Sequence, residues 1–129
     1  MERMASPLAR VRGLGSAKEG ADHWWVQRLT AVALVPLTLW FVYSIMVLAG
    51  AGLDEAQTWA ADPFNALMLI ILVVATFHHA QLGLQVVLED YIHHELLKIG
   101  SLVVMKSTAF AIGLAGVLAV MRIALGSAG

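Results

Sequence analysis

The stretch "HHAQLGLQVVLEDYIHHE", His78 to Glu95, begins inside an apolar run and ends in charge. Four histidines and three carboxylates fall within it, and its first half continues the hydrophobic segment that starts at Phe64. Ionisable groups are costly inside a membrane span, where they face a bundle interior or a water-filled cavity and mark function. How this stretch reads therefore depends on whether the segment around it crosses a bilayer.

Working outward, three segments reach the length of about 20 helical residues that a hydrocarbon core requires. They are Leu29 to Leu48, Phe64 to Leu88 and Leu102 to Leu125. The composition agrees, with 60% hydrophobic and only 13% charged residues in a chain of 129, too apolar for a soluble domain of this size. The expected fold is all-α and integral to the membrane, with three transmembrane helices. Its plan is an N-terminal segment 1–28, spans at 29–48, 64–88 and 102–125, a link 49–63, a loop 89–101 and a tail 126–129. Pro36 lies within the first span, where a membrane helix tolerates it as a kink. Gly50 and Gly52 end one helix, and Asp62-Pro63 opens the next through a cap and a proline at the first helical position.

Basic residues set the expected orientation. Arg3, Arg10, Arg12, Lys18 and Arg28 precede the first span, Lys98 and Lys106 lie by the second loop, and only Arg122 falls on the other side. The positive-inside rule then places the N-terminus and the 89–101 loop in the cytoplasm, and the 49–63 link and the C-terminus outside, as in a multi-pass membrane protein. Trp24, Trp25 and Trp59 fall where interfacial aromatic belts would lie. The first twenty residues lack an apolar core and are not expected to form a cleavable secretory signal. A transit peptide is weakened by Glu2, Glu19 and Asp22. The net charge of −1 offers no basic surface for nucleic acid, and the lack of cysteine excludes thiolate-held clusters, disulfides and a thiol nucleophile.

Within the second span, His79 precedes Asp90 by eleven residues, about 16 Å of helix, which puts it near mid-membrane. His79, Gly83, Val86 and Asp90 share one helical face, while His78, Leu82, Gln85 and Glu89 share its neighbour. A glycine one turn from an imidazole leaves space for something broad and flat, a haem edge more than a bare ion. Zinc or di-iron would want further ligands that this span does not supply near His79. The simpler alternative is that the histidine hydrogen-bonds a neighbouring helix. Asp90 and Tyr91 can serve a quinone, the phenol donating to a carbonyl oxygen and the carboxylate relaying protons. They can equally be an interfacial anchor and a helix-ending acid. His93, His94 and Glu95 read as a solvated loop. In the third span, Ala109, Gly113 and Gly116 form a small-residue face that admits a close helix.

The His79-Ala80-x-x-Gly83 spacing followed by Asp90-Tyr91 resembles the second-helix motif of the small hydrophobic membrane anchor of succinate dehydrogenase (respiratory complex II). The segment "GSAKEGADHWWVQRLTAVAL", 15–34, is similar to the start of its alphaproteobacterial members. That resemblance implies a subunit that is not active alone and is part of a succinate:ubiquinone oxidoreductase linking the citric acid cycle to the respiratory chain. It implies an axial haem b ligand at His79, with His78 as the alternative, and Gly83 beside the haem. Arg28 would lie near the haem propionates, and Tyr91 and Asp90 would lie at the ubiquinone. The implied partners are a companion cytochrome b anchor, which supplies the other haem ligand, an iron–sulfur subunit and a flavoprotein. Gln81 stands where some members have tryptophan.

Other readings remain at this point. One is the anchor of a fumarate reductase-type complex, another a haem-free scaffold or assembly subunit in which His79 only joins helices. A proton-conducting subunit is disfavoured because the charges cluster at one end of the span.

Overall fold

The hydrophobic segments form helices because hydrocarbon offers no partner for a free backbone N–H or C=O, and a helix satisfies both within one segment. A computed structural model of the chain describes residues 7–8 and 18–126. Its four principal helices are α1 (Lys18–Leu48), α2 (Leu53–Ala61), α3 (Pro63–Tyr91) and α4 (Glu95–Ala124). Three of them, Gly20–Leu48, Pro63–Tyr91 and Glu95–Ala124, are long and apolar enough to cross a membrane. The chain is thus an all-α, multi-pass membrane protein. Arg3, Arg10 and Arg12 lie outside the described residues, as does the side chain of Lys18.

Each helix runs beyond its apolar stretch. A span is the part that meets hydrocarbon, and the helix carrying it continues into the polar interface. Thus α3 extends through Asp90 and Tyr91, α4 starts at Glu95, and only residues 92–94 separate them. His94 is the N-cap of α4, its Nδ1 accepting from the Leu97 N–H at 3.4 Å, and Glu95 is in the first turn beside the positive end of the helix dipole. Lys106 lies eleven residues into α4, about 16 Å along it. His79 stands a similar length back from Tyr91 on the neighbouring helix.

The link between α1 and α3 has its own structure. Gly50 has φ of +88°, a left-handed conformation that L-residues rarely adopt, and it ends α1. Residues 53–61 then coil into α2, with Asp54 and Glu55 in the first turn. Trp59 stacks on Trp40 of α1 with centroids 5.6 Å apart, and its carbonyl accepts from the Asn65 side chain at 3.0 Å. At the start of α3, Asp62 Oδ2 accepts from the N–H groups of Phe64 and Asn65 at 3.1 and 3.2 Å, with Pro63 in the first turn. Two orphan donors are satisfied by one carboxylate.

The main packing runs through α3, which meets α1 on one side and α4 on the other, and α2 packs on α3 and α4. On the α4 side, a Cβ added to Gly116 would lie 3.1 Å from Val73, and one added to Gly113 would lie 3.5 Å from Phe77. The small-residue face of α4 therefore receives α3 of the same chain. Among the described residues, Leu37, Ala60, Ala66 and Leu82 are the buried apolar ones, and Ser44 is buried with its hydroxyl donating to the Trp40 carbonyl at 2.8 Å. Most large apolar side chains face outward, as lipid or neighbouring subunits require.

Gly116→Val is expected to cost about 1–3 kcal/mol by overpacking this seam. Gly113→Ala, whose methyl would meet Phe77 at ordinary contact distance, should cost far less. Unfolding of each variant in a denaturing-detergent titration measures the contrast.

Candidate functional site

Because α3 is sandwiched, its residues are sorted by which neighbour they meet. His79 turns towards α1, where its Nδ1 lies 3.1 Å from the Thr30 hydroxyl oxygen. It lines an open groove of about 410 Å³ whose other walls, Ala31, Leu34, Val35, Thr38 and Leu39, all come from α1. One polar ring thus stands against an almost wholly apolar wall. Thr30 is itself tethered, with its oxygen 2.9 Å from the carbonyl oxygens of both Val26 and Gln27.

His78 projects elsewhere. It lines a cavity of about 360 Å³ between α3 and α4, together with Phe77, Gln81, Phe110 and Gly113. Adjacent helical residues diverge by about 100°, and packing converts that angle into two separate environments. Gly83, one turn after His79, faces Gln27 of α1, whose Nε2 would lie 4.0 Å from an added Cβ. Arg28 is exposed and places its guanidinium carbon 4.7 Å from the centre of the Trp24 ring, a cation–π contact. Trp24 in turn meets Trp25 edge to face at 5.1 Å.

Asp90 and Tyr91 occupy the last turn of α3, and both are exposed, Tyr91 at 79%. This chain brings them to the helix end without enclosing them. On the other side of the same end, Gln85 Nε2 donates to Glu89 Oε1 at 2.9 Å, while Gln85 Oε1 is buried without a partner. These two residues line a cavity of about 360 Å³ with Gly20, His23, Trp24 and Gln27.

Among the described residues, no three His, Cys, Asp or Glu side chains lie close enough to hold a metal ion together. A metal bound at His79 therefore needs ligands from outside the chain or a cofactor that brings its own. Sequence reasoning did not single out Thr30 as the partner of His79, although it lies in the quoted "QRLTA". It also missed α2, whose spacing of Leu53, Ala56 and Trp59 at i, i+3 and i+6 behind two acids was a usable signal.

Three spanning helices, with one imidazole in an apolar groove and an exposed acid–phenol pair at a helix end, define an all-α integral membrane protein. A family model described as succinate dehydrogenase/fumarate reductase transmembrane subunit matches residues 2–124, and the chain belongs to that family. The succinate dehydrogenase hydrophobic membrane anchor subunit of Rickettsia conorii (strain ATCC VR-613 / Malish 7) is 35% identical over 70% of this chain and 73% of its own. That of Rickettsia bellii (strain RML369-C) is 38% identical over 66% and 68%. That of Paracoccus denitrificans is 29% identical over 97% and 96%. No solved structure matches at a significant level. The chain is accordingly a membrane anchor subunit of succinate dehydrogenase, an oxidoreductase complex, and its three spans are consistent with the bacterial inner membrane.

Gly83→Ala should leave stability unchanged or raise it by up to about 1 kcal/mol, since the position has room and alanine favours helix. The same detergent titration measures it.

Proposed function

We propose that this protein supplies one axial ligand of haem b, through His79, and part of a ubiquinone-reduction site, through Asp90 and Tyr91. The observation that carries the reading is the setting of His79. Its ring is held through one nitrogen by Thr30 and lines an open apolar groove. Such a setting suits half of a haem pocket, since a single imidazole fits a metal whose other ligands a porphyrin and a second protein would supply. When bound, haem b would supply one-electron storage, and a companion cytochrome b anchor would supply the opposite ligand.

The residues of this chain have separate tasks. His79 would hold the haem iron. Gly83 keeps the α3 surface flat one turn away. Arg28 lies on the same side of α1 as Ala31 and Val35, two turns nearer its N-terminus than Val35, so its guanidinium can meet a carboxylate reaching the membrane edge. The Tyr91 hydroxyl donates to a quinone carbonyl oxygen, and Asp90 relays protons beside it. Both are exposed, so the walls of that pocket belong to other subunits, among them the iron–sulfur subunit that passes on electrons from the flavoprotein. Succinate is oxidised in the flavoprotein, and this chain catalyses nothing alone. The charge distribution supports a cytoplasmic N-terminus and 92–94 connection, and on this reading Asp90 and Tyr91 face the side where those subunits dock.

One observation favours a second reading. The contact between His79 and Thr30 joins α3 to α1, as expected of a histidine that serves only as interhelical glue in a haem-free scaffold. The two readings part at the other ring nitrogen, which the contact leaves available.

A reduced-minus-oxidised visible spectrum of the detergent-purified complex, with succinate as reductant, tests the proposal. A b-type band is expected. Its absence would favour the scaffold. His79→Ala should abolish or strongly shift the band and His78→Ala should not, with the reverse moving the ligand to the α3–α4 cavity. Tyr91→Phe should lower ubiquinone reduction roughly 10-fold or more, the scale of a lost charge-stabilising donor, while succinate oxidation by an artificial acceptor persists. A normal quinone rate would count against the role of Tyr91.

A further inference from the structure

We propose that Thr30 is a positioning residue for the haem iron: it fixes the tautomer of His79, making Nε2 the ligating nitrogen and tuning the electron density of the ring. The inference rests on the haem-ligand reading of His79 given above.

Counting protons around the hydroxyl assigns the tautomer. Thr30 has one hydroxyl hydrogen and three acceptor-capable neighbours, the carbonyl oxygens of Val26 and Gln27 at 2.9 Å each and His79 Nδ1 at 3.1 Å. If the hydroxyl donated to His79, its oxygen would face two carbonyl oxygens at 2.9 Å with no proton between, a doubly repulsive arrangement. If it donates to the carbonyls, as helical threonines commonly do three or four residues back, the repulsion is relieved. The hydroxyl oxygen then accepts, and the proton on the third contact must come from His79 Nδ1–H. A neutral imidazole with its proton on Nδ1 has its lone pair on Nε2.

Two consequences follow. The ring cannot swing without breaking a hydrogen bond in an apolar environment where no water replaces it, so Nε2 stays pre-aimed. Donation from Nδ1–H also makes the imidazole a more basic ligand, which stabilises the oxidised iron over the reduced one. Thr30 thereby holds the haem potential lower than an unpartnered histidine would. Thr30 lies on α1 and His79 on α3, so the α1–α3 packing is itself part of the ligand's setting.

The test uses the intact purified complex with Thr30→Val, which keeps the branched shape but cannot accept, and Thr30→Ser, which keeps the hydroxyl. Two quantities are read: haem per complex and the haem midpoint potential from a redox titration of the b-type band. Thr30→Val is expected to weaken haem retention roughly 10–100-fold, the usual scale for outer-shell partners of metal-bound histidines. Its remaining haem should titrate at a higher potential, and Thr30→Ser should restore both quantities. An unchanged potential in Thr30→Val, or equal losses in both variants, would overturn the proposal, because shape and not the hydroxyl would then matter. His79→Ala separates the two levels: a band that survives it refutes the ligand reading, whereas loss in His79→Ala with no effect of Thr30→Val refutes only the role of Thr30.

Discussion

Hydrocarbon supplies no hydrogen-bond partners, and every other feature of this chain is an accommodation to that fact. The backbone answers with three long helices, and the side chains answer by keeping polar groups where another protein group can meet them. With only three spans there are few such places. α3 is the spanning helix that packs against both of the others, and it carries His78 and His79.

That arrangement turns a helical period into chemistry. Val73 and Phe77 close on the glycines of α4, while His79 and Gly83 face Thr30 and Gln27 of α1. His78 and His79 are neighbours in sequence, yet one lines a pocket shared with α4 and the other a groove shared with α1. The sparse core has the same origin. Three helices packed mainly through one of them bury little apolar surface among themselves.

The small-residue face of α4 illustrates how one cue serves several partners. Ala109, Gly113 and Gly116 predict close approach by some helix, and the approaching helix is α3, whose Val73 leaves no room for a side chain at Gly116. The link between α1 and α3 shows the converse. A stretch that counts as a connection by hydropathy folds into α2, because Trp59 gains a stacking partner in Trp40 and Asp62 can cap the helix that follows.

By itself the sequence determined the number and type of spanning helices, since runs of apolar residues in a bilayer have no other way to satisfy their backbone. It also determined the turn at Gly50 and the cap at Asp62, which depend on residues adjacent in the chain. The local spacing of His79, Gly83, Asp90 and Tyr91 was equally legible, being a property of one helix. Only the tertiary structure decided which helix each histidine meets, because an angle around α3 has no meaning until α1 and α4 take their sides. The contact between Thr30 and His79 spans 49 positions of sequence. No periodicity within either helix contains it, and it exists because packing brings the two polar groups together from different helices.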